Sequence, residues 1–339
     1  MIPANSPPTA VAPNTFSSLL FINECLLDEE RTSTLRTAIR QKVEPGDVVV
    51  DAGTGSGILA LFAAEAGAAK VYAVDIDPAA LTLARRAIGA SAFADRIEVI
   101  QADLKEFELS APADVVVMEM LDTGLIAELQ APALNALRRH GVIGPRTRVV
   151  PERVRCSVEL VEYDFDFYGF AMPLLVQARN SGVQRRVRQP LSEPVVYREA
   201  DFEGEIAITV DESVRLRVER AGTLNALRLR TQTVVCEGVA VWETSDMNMP
   251  VIVPVGPMPV RRGEEFTAAV HYLMGCGYAN LRIQVSRLGE SQTSNQALHL
   301  TRATSFFSGT VEAEGAAPAG ELSLERGRAS GALNPAIGE

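Results

Sequence analysis

The stretch Val48-Val49-Val50-Asp51-Ala52-Gly53-Thr54-Gly55-Ser56-Gly57 decides the fold of this chain. A short apolar run enters a glycine loop, and the loop opens straight into a helix-period segment from Ile58. Glycines at such a turn let the backbone approach a ligand closely and aim helix N-terminal N–H groups at it. Asp75 closes the next apolar run, where a carboxylate can accept hydrogen bonds from both hydroxyls of a ribose. The loop therefore reads as the grip on a nucleoside-type cofactor. The dinucleotide fingerprint GxGxxG needs its third glycine at position 58, which is Ile58, and this disfavours a dehydrogenase.

Working outward, residues from about 25 to 150 alternate apolar runs (Asp47 to Asp51, Val71 to Ile76, Ile97 to Ala102, Ala113 to Met118) with helical stretches. The helical stretches include Ile58 to Ala66 and Pro78 to Ala90, the latter opening with proline at a first-turn position. Continuous apolar runs fit strands covered on both faces, so this part reads as α/β with a doubly wound parallel sheet. From about 148 onward the runs alternate polar and apolar, as in Ser213 to Val218, Asn225 to Arg230, Val234 to Trp242, Ala268 to Leu273 and Asn280 to Val285. Alternation buries one face and wets the other, which predicts an antiparallel barrel or sandwich. The division expected is an arm over 1–24, a cofactor domain over 25–150, a β domain over 151–308 and a disordered Gly/Ala/Glu-rich tail over 309–339.

With 339 residues and 47% hydrophobic content, the chain is long enough to bury a large core. A net charge of −11 argues against a nucleic-acid surface, which needs a basic face, and suits a cationic substrate. Cys25, Cys156, Cys236 and Cys276 lie far apart, with no metal-ligand spacing, and read as reduced thiols of a cytoplasmic protein. No apolar stretch is long enough to span a membrane, and no basic region precedes an apolar run at the N-terminus. Neither membrane insertion nor secretion is expected.

The GxGxG spacing resembles the first motif of class I methyltransferases, whose cofactor is S-adenosylmethionine. Asp103 ends the third run as Gln101-Ala102-Asp103, where members of that superfamily place an acidic residue near the adenine amino group.

The fourth run ends in Met118-Glu119-Met120-Leu121-Asp122-Thr123-Gly124-Leu125-Ile126-Ala127-Glu128. Strand ends of an open α/β sheet face the ligand crevice, so Glu119 should point at the substrate side, and Glu128 returns across a turn. Two converging carboxylates suit a guanidinium, which is planar and presents forked N–H donors. They can orient one nitrogen toward the methyl group, bias the charge to the others and take up a proton.

The Glu119…Glu128 spacing resembles the double-glutamate loop of the protein arginine methyltransferase family. Glu24-Cys25-Leu26-Leu27-Asp28-Glu29-Glu30-Arg31-Thr32 is similar to that family's EMLKDEVRT pattern. The resemblance runs from about residue 24 to 165 and more loosely beyond. It implies catalysis by Glu119 and Glu128, with Met120 and Asp122 at the substrate and no metal. It implies cofactor contacts from Arg31, Asp51, Gly53, Thr54, Gly55, Gly57, Asp75, Asp103, Leu104 and Glu119, Arg31 pairing with the cofactor's carboxylate. It further implies a dimerisation arm at about 163–192, and hence a homodimer. Leu121-Asp122-Thr123-Gly124-Leu125-Ile126 looks more like the monomethylating, type III-like branch than the WMGY-type loop, with Asp122 expected to narrow and charge the pocket.

Two departures separate the chain from the family. Glu243 to Pro250 holds no histidine or tryptophan where the family carries Thr-His-Trp, and Phe16 is the aromatic nearest to the family's paired N-terminal tyrosines. These departures alter the wall that would hold a protein's arginine and open the way to a different guanidino substrate, such as free arginine or a small biosynthetic intermediate. The acceptor expected is an arginine-type guanidino group in a protein, a peptide or free arginine. The alternatives are methylation of an unrelated small molecule and a cofactor-binding partner without catalysis. His140, His271 and His299 read as surface or locally bonded, Trp242 as packing, and Arg185-Arg186-Val187-Arg188 as a solvated basic loop.

Overall fold

The computed structural model describes residues 19–177, 185–241, 243–244, 247–289 and 297–298. Phe16, Trp242, His299 and the tail from 309 lie outside the described residues.

Helices α1 (Leu19–Leu27) and α2 (Glu29–Lys42) lead into five strands: β1 (Val48–Ala52), β2 (Lys70–Asp75), β3 (Ile97–Gln101), β4 (Val115–Val117) and β5 (Arg148–Val150). All pair in parallel, in the order β3-β2-β1-β4-β5. Between them run α3 (Ile58–Ala66), α4 (Pro78–Gly89) and α5 (Gln130–Arg139). The order reverses between β1 and β4, which opens a crevice at their carboxyl ends. Strand side chains alternate between two cores. Val49, Val71, Val115 and Val117 pack with α2, α3 and α4, whereas Val50, Val74, Val116 and Met118 join a core that runs on into the antiparallel strands. That double burial is why these strands are unbroken apolar runs.

The helix ends follow from their sequences. Asp28 caps α2 by accepting from Arg31 N at 3.0 Å, and Asp77 caps α4 by accepting from Ala79 N at 2.7 Å, with Pro78 in its first turn. Gly57 begins α3 with φ +83, a left-handed geometry, and its open face lies against Ala84 and Ile88 of α4.

Beyond β5 the strands are antiparallel. Arg153–Tyr163 lies between Val195–Asp201 and the long Gly222–Cys236, which also pairs with Val239–Val241 and Val251–Val260. A second sheet joins Thr209–Arg217, Glu265–Leu273, Arg282–Arg287 and Ala297–Leu298. The expected run from Val234 to Trp242 is two strands rather than one. It folds back at Glu237-Gly238, where Gly238 takes φ +78. A small hairpin, Asp166–Phe167 with Phe170–Ala171, lies where an arm was expected, and Tyr168 at its tip is 98% exposed. Among the described residues no helix is long and apolar enough to cross a membrane.

Gly57→Ala tests the helix junction. A Cβ there would stand 3.2–3.4 Å from Ile88 and Ala84 while forcing an L-residue into left-handed space. The expected loss is about 1–2 kcal/mol of unfolding free energy, read by denaturant titration.

Candidate active site

A cavity of ≈ 400 Å³ opens at the carboxyl ends of β1, β2 and β4, with α1 and the start of α2 along one side. The glycine loop forms its floor. Gly53 N and Thr54 N both donate to Val74 O, at 2.8 and 2.9 Å, which fastens the turn to β2. Gly55 N donates to Asp75 Oδ2 and Asp77 N to Asp75 Oδ1, each at 2.9 Å. Each oxygen of Asp75 keeps acceptor capacity while its carboxylate lines the cavity. Gly53 has φ +79, and a Cβ on it would come within 3.1 Å of Met120 Sδ. Asp103, which also lines the cavity, accepts from Lys105 N through its Oδ1 at 2.9 Å.

The two glutamates follow from β4. Gln130, fully buried at the start of α5, donates to Met118 O and accepts from Met120 N, both at 2.8 Å. It therefore grips the backbone on either side of Glu119. The loop then turns through Gly124 (φ +77) and Leu125 (φ +55). Left-handed geometry at a leucine costs on the order of 1–2 kcal/mol. The contacts that hold it come mainly from the antiparallel strands. Thr123 Oγ1 donates to Met249 O (2.6 Å), Gly124 N to Thr231 Oγ1 (2.8 Å), and Tyr272 Oη to Gly124 O (2.7 Å). Gly275 N and Gly277 N donate to Leu125 O and Ile126 O at 3.0 and 2.8 Å.

The carboxylates differ electrically. Glu119 accepts from Arg31 Nη2 in a pair that is buried on both sides, while Arg31 Nη1 donates to Cys25 O at 3.2 Å. Glu128 accepts no hydrogen bond from the described residues. Its burial, and then the negative charge of Asp122, raise it to about 8, with Arg31 pulling the other way. One carboxyl is paired with a protein cation, and the other has no such pair among the described residues.

Of the residues singled out in the sequence, the structure gathers Arg31, Gly53, Thr54, Gly55, Asp75, Asp103, Leu104, Glu119, Met120 and Glu128 around this cavity. Three lie behind its wall. Asp51 is buried, its Oδ2 accepting from Thr54 Oγ1 (2.5 Å) and Ala60 N (2.9 Å), and burial raises it to about 7. Gly57 faces α4. Asp122, expected to charge the pocket, instead turns its carboxylate to the loop's own backbone and to Tyr278. Sequence reasoning missed Gln130, Tyr278, the α1 side chains Phe21, Ile22 and Leu26, and Thr244, whose hydroxyl donates to Asp28. The helix-period placement of Phe21, Ile22 and Leu26 just before the Arg31 motif was the available signal for α1. His140 pairs with Glu108 (2.9 Å) and exposed His271 lies 3.7 Å from Asp211, both away from the cavity. Among the described residues no cluster of His, Cys, Asp or Glu is placed to hold a metal ion.

The comparisons agree with this geometry. The family model for the ribosomal protein L11 methyltransferase (PrmA) matches residues 30–145. An uncharacterized protein of Methanocaldococcus jannaschii, MJ1452, is 32% identical over 68% of this chain and 83% of its own length. An arginine N(omega)-methyltransferase of Streptomyces achromogenes is 36% identical over 41% of this chain and 39% of that protein. Protein arginine N-methyltransferase 6 of Danio rerio is 38% identical over 56% and 60%. The solved PRMT1 enzyme–prozyme complex of Trypanosoma brucei with AdoHcy superposes with a TM-score of 0.66 at 18% identity, covering 84% of this chain and 98% of that one.

Fold, glycine loop and matches together define an S-adenosylmethionine-dependent methyltransferase. The chain belongs to one family with the M. jannaschii protein, which it covers over most of that protein's length, and it is similar to proteins named as arginine methyltransferases over part of theirs. The residues present fit the cofactor. Gly53, with φ +79, lies so close to Met120 that a Cβ would press on its side chain at 3.1 Å, Asp75 stands at the end of β2, and the cavity is of small-ligand size.

A pH test follows from Glu128. Between its ordinary value of 4.5 and about 8, the folded chain holds a proton there that the unfolded chain does not. Its contribution to stability therefore declines as pH rises through that window. Glu128→Gln removes the decline, so the variant should gain thermal stability over the wild type progressively between about pH 5 and pH 9. A difference independent of pH would show Glu128 ionised throughout.

Proposed function

We propose that this enzyme transfers a methyl group from S-adenosylmethionine to a nitrogen of an arginine-type guanidino group. The observation that carries the reading is the pair Glu119 and Glu128 on one rigid loop, lining one cavity, with only Glu119 paired to a protein cation. The cofactor supplies a sulfonium-bound, electrophilic methyl group. Asp75 and Asp103 hold its nucleoside end, and Arg31 fixes Glu119 at the other. A guanidinium entering beside Glu128 displaces that group's proton, because the cation favours the carboxylate form. The two carboxylates then orient one nitrogen and draw positive charge toward the others. On receiving the methyl group the acceptor nitrogen would lose a proton, which Glu128 is placed to accept, while the cofactor would leave as the neutral thioether.

The methyl acceptor is a guanidino group in a protein, a peptide or free arginine. The names of the Danio and Streptomyces relatives span protein-linked and plain arginine. Thr244, Met247 and Asn248 occupy the loop where the family has Thr-His-Trp, which favours an acceptor other than the family's usual protein arginine. A single methyl per guanidinium is the product proposed, on the likeness of Leu121 to Ile126 to the monomethylating branch. Glu119→Gln and Glu128→Gln should each lower the rate by roughly 10²–10⁴-fold with cofactor binding retained. A labelled-methyl assay with free arginine, arginine-rich peptides and lysate as acceptors reads the rate, and mass spectrometry of the product should show monomethyl adducts. Abundant dimethyl product would exclude the single-methyl reading.

A homodimer is part of the same proposal. Tyr168, Phe170, Met172 and Leu174 expose apolar surface on and just after the small hairpin, the kind of surface a partner subunit can cover. Tyr168→Ser with Phe170→Ser should convert a dimer to monomer in sedimentation analysis, with the far-UV spectrum unchanged.

A further inference from the structure

The notable acid of this site is the one that does not reach the cavity. Asp122 is buried, and each of its oxygens serves the loop that carries Glu128. Oδ1 accepts from the backbone N–H of Glu128 itself at 3.1 Å, and Oδ2 from Ala127 N at 2.9 Å. Tyr278, from a turn after the strand Glu265–Leu273, donates its hydroxyl to Oδ2 at 3.0 Å. Three donors on two oxygens suit a carboxylate. An asparagine would present one oxygen and turn an NH₂ toward an N–H donor.

Burial raises Asp122 to about 6 while its hydrogen bonds pull the other way, so it carries its charge at neutral pH with little to screen it. Facing it and Glu128 are Arg31 from α2, already paired with Glu119, Tyr278 from its turn, Tyr197 and Tyr272 from the antiparallel strands, and Cys156 from Arg153–Tyr163. Burial raises the three phenols well above their ordinary value and the Cys156 thiol to about 12, so all four stay neutral. A fixed negative charge behind a cavity wall, with no cation of its own, favours a cationic guest in front of that wall.

We propose that Asp122, held by Tyr278, is the positioning residue of this site: it fixes the backbone from which Glu128 projects and supplies the charge that selects a cationic substrate. The proposal rests on the reading of Glu128 as the carboxylate that meets the substrate. It assigns Asp122 no contact with substrate or cofactor.

The test uses the full chain with ¹³C-labelled glutamate side chains, the Glu128 carboxyl resonance being assigned by its loss in Glu128→Gln. In Asp122→Asn the Glu128 titration should move to lower pH by on the order of one unit, because a like charge has been removed. The pH profile of kcat/KM should shift in the same direction. Tyr278→Phe keeps the charge and loosens the loop. It should leave the Glu128 titration within about half a unit of the wild type while lowering kcat roughly tenfold, with KM little changed. An unmoved Glu128 titration in Asp122→Asn, or a Tyr278→Phe enzyme with wild-type kcat, overturns the proposal. Should Asp122→Asn fail to fold, Tyr278→Phe still decides the positioning role. The titration needs no methyl acceptor. A failure of the guanidino reading would therefore show as a wild-type enzyme inactive on guanidino compounds while the Asp122→Asn shift persists.

Discussion

A buried loop cannot leave its backbone N–H and C=O groups unsatisfied, and in this protein that constraint governs the segment from Met118 to Gln130. The segment leaves a parallel sheet, carries both glutamates and returns to a helix, with every residue from Leu121 to Ile126 buried. Gln130 satisfies the polar groups of Met118 and Met120 with both ends of one amide. Asp122 does the same for Ala127 and Glu128. Thr231, Tyr272, Gly275 and Gly277, from strands and turns far along the chain, meet the polar groups of Gly124, Leu125 and Ile126. Each such bond contributes only about 1 kcal/mol, yet leaving any one unmade costs more. The left-handed turn at Leu125 persists because the network around it over-determines its shape.

Electrostatics follow from that confinement. Asp51, Asp122 and Glu128 all lie out of water, and burial raises each of them. Asp51 is tied to its own turn, whereas Glu119 has Arg31 as counter-ion. What remains at the cavity is a buried acid without a hydrogen-bond partner among the described residues, beside a second acid in the wall. An interior of that kind is unfavourable for anions and receptive to a cation, in keeping with the chain's overall excess of acidic residues.

Local features were legible in the sequence, and long-range ones were not. The apolar runs around Val50 and Val116, the Pro78 helix start and the glycine loop all announce themselves within about a dozen residues, and the parallel sheet follows from them. The side chains around the cavity were legible where a motif fixed their place, as with Arg31, Asp75 and the two glutamates. Asp122 was misread because its partners are its own backbone and a tyrosine 156 residues away. No periodicity reports such a pairing. Arg31 was expected at the cofactor's carboxylate, yet it also holds Glu119, 88 residues on. Thr244 was passed over as a missing histidine, although its hydroxyl ties the loop at 243–250 to the cap of α2. The hairpin at Gly238 was read as one strand because alternation continues across the turn.

The shared core has a consequence for how this architecture can change. Leu125, Ile126 and Leu134 belong to the same apolar cluster as Leu160, Leu227 and Tyr272, so the cofactor-binding part is finished on one side by strands that follow it in the chain. Cutting after β5 would return several large side chains to water at roughly 1.5–3 kcal/mol each and strip the glutamate loop of its supports. The two parts are therefore poor modules. Recombination cannot exchange the antiparallel strands of such an enzyme without also reshaping its catalytic loop.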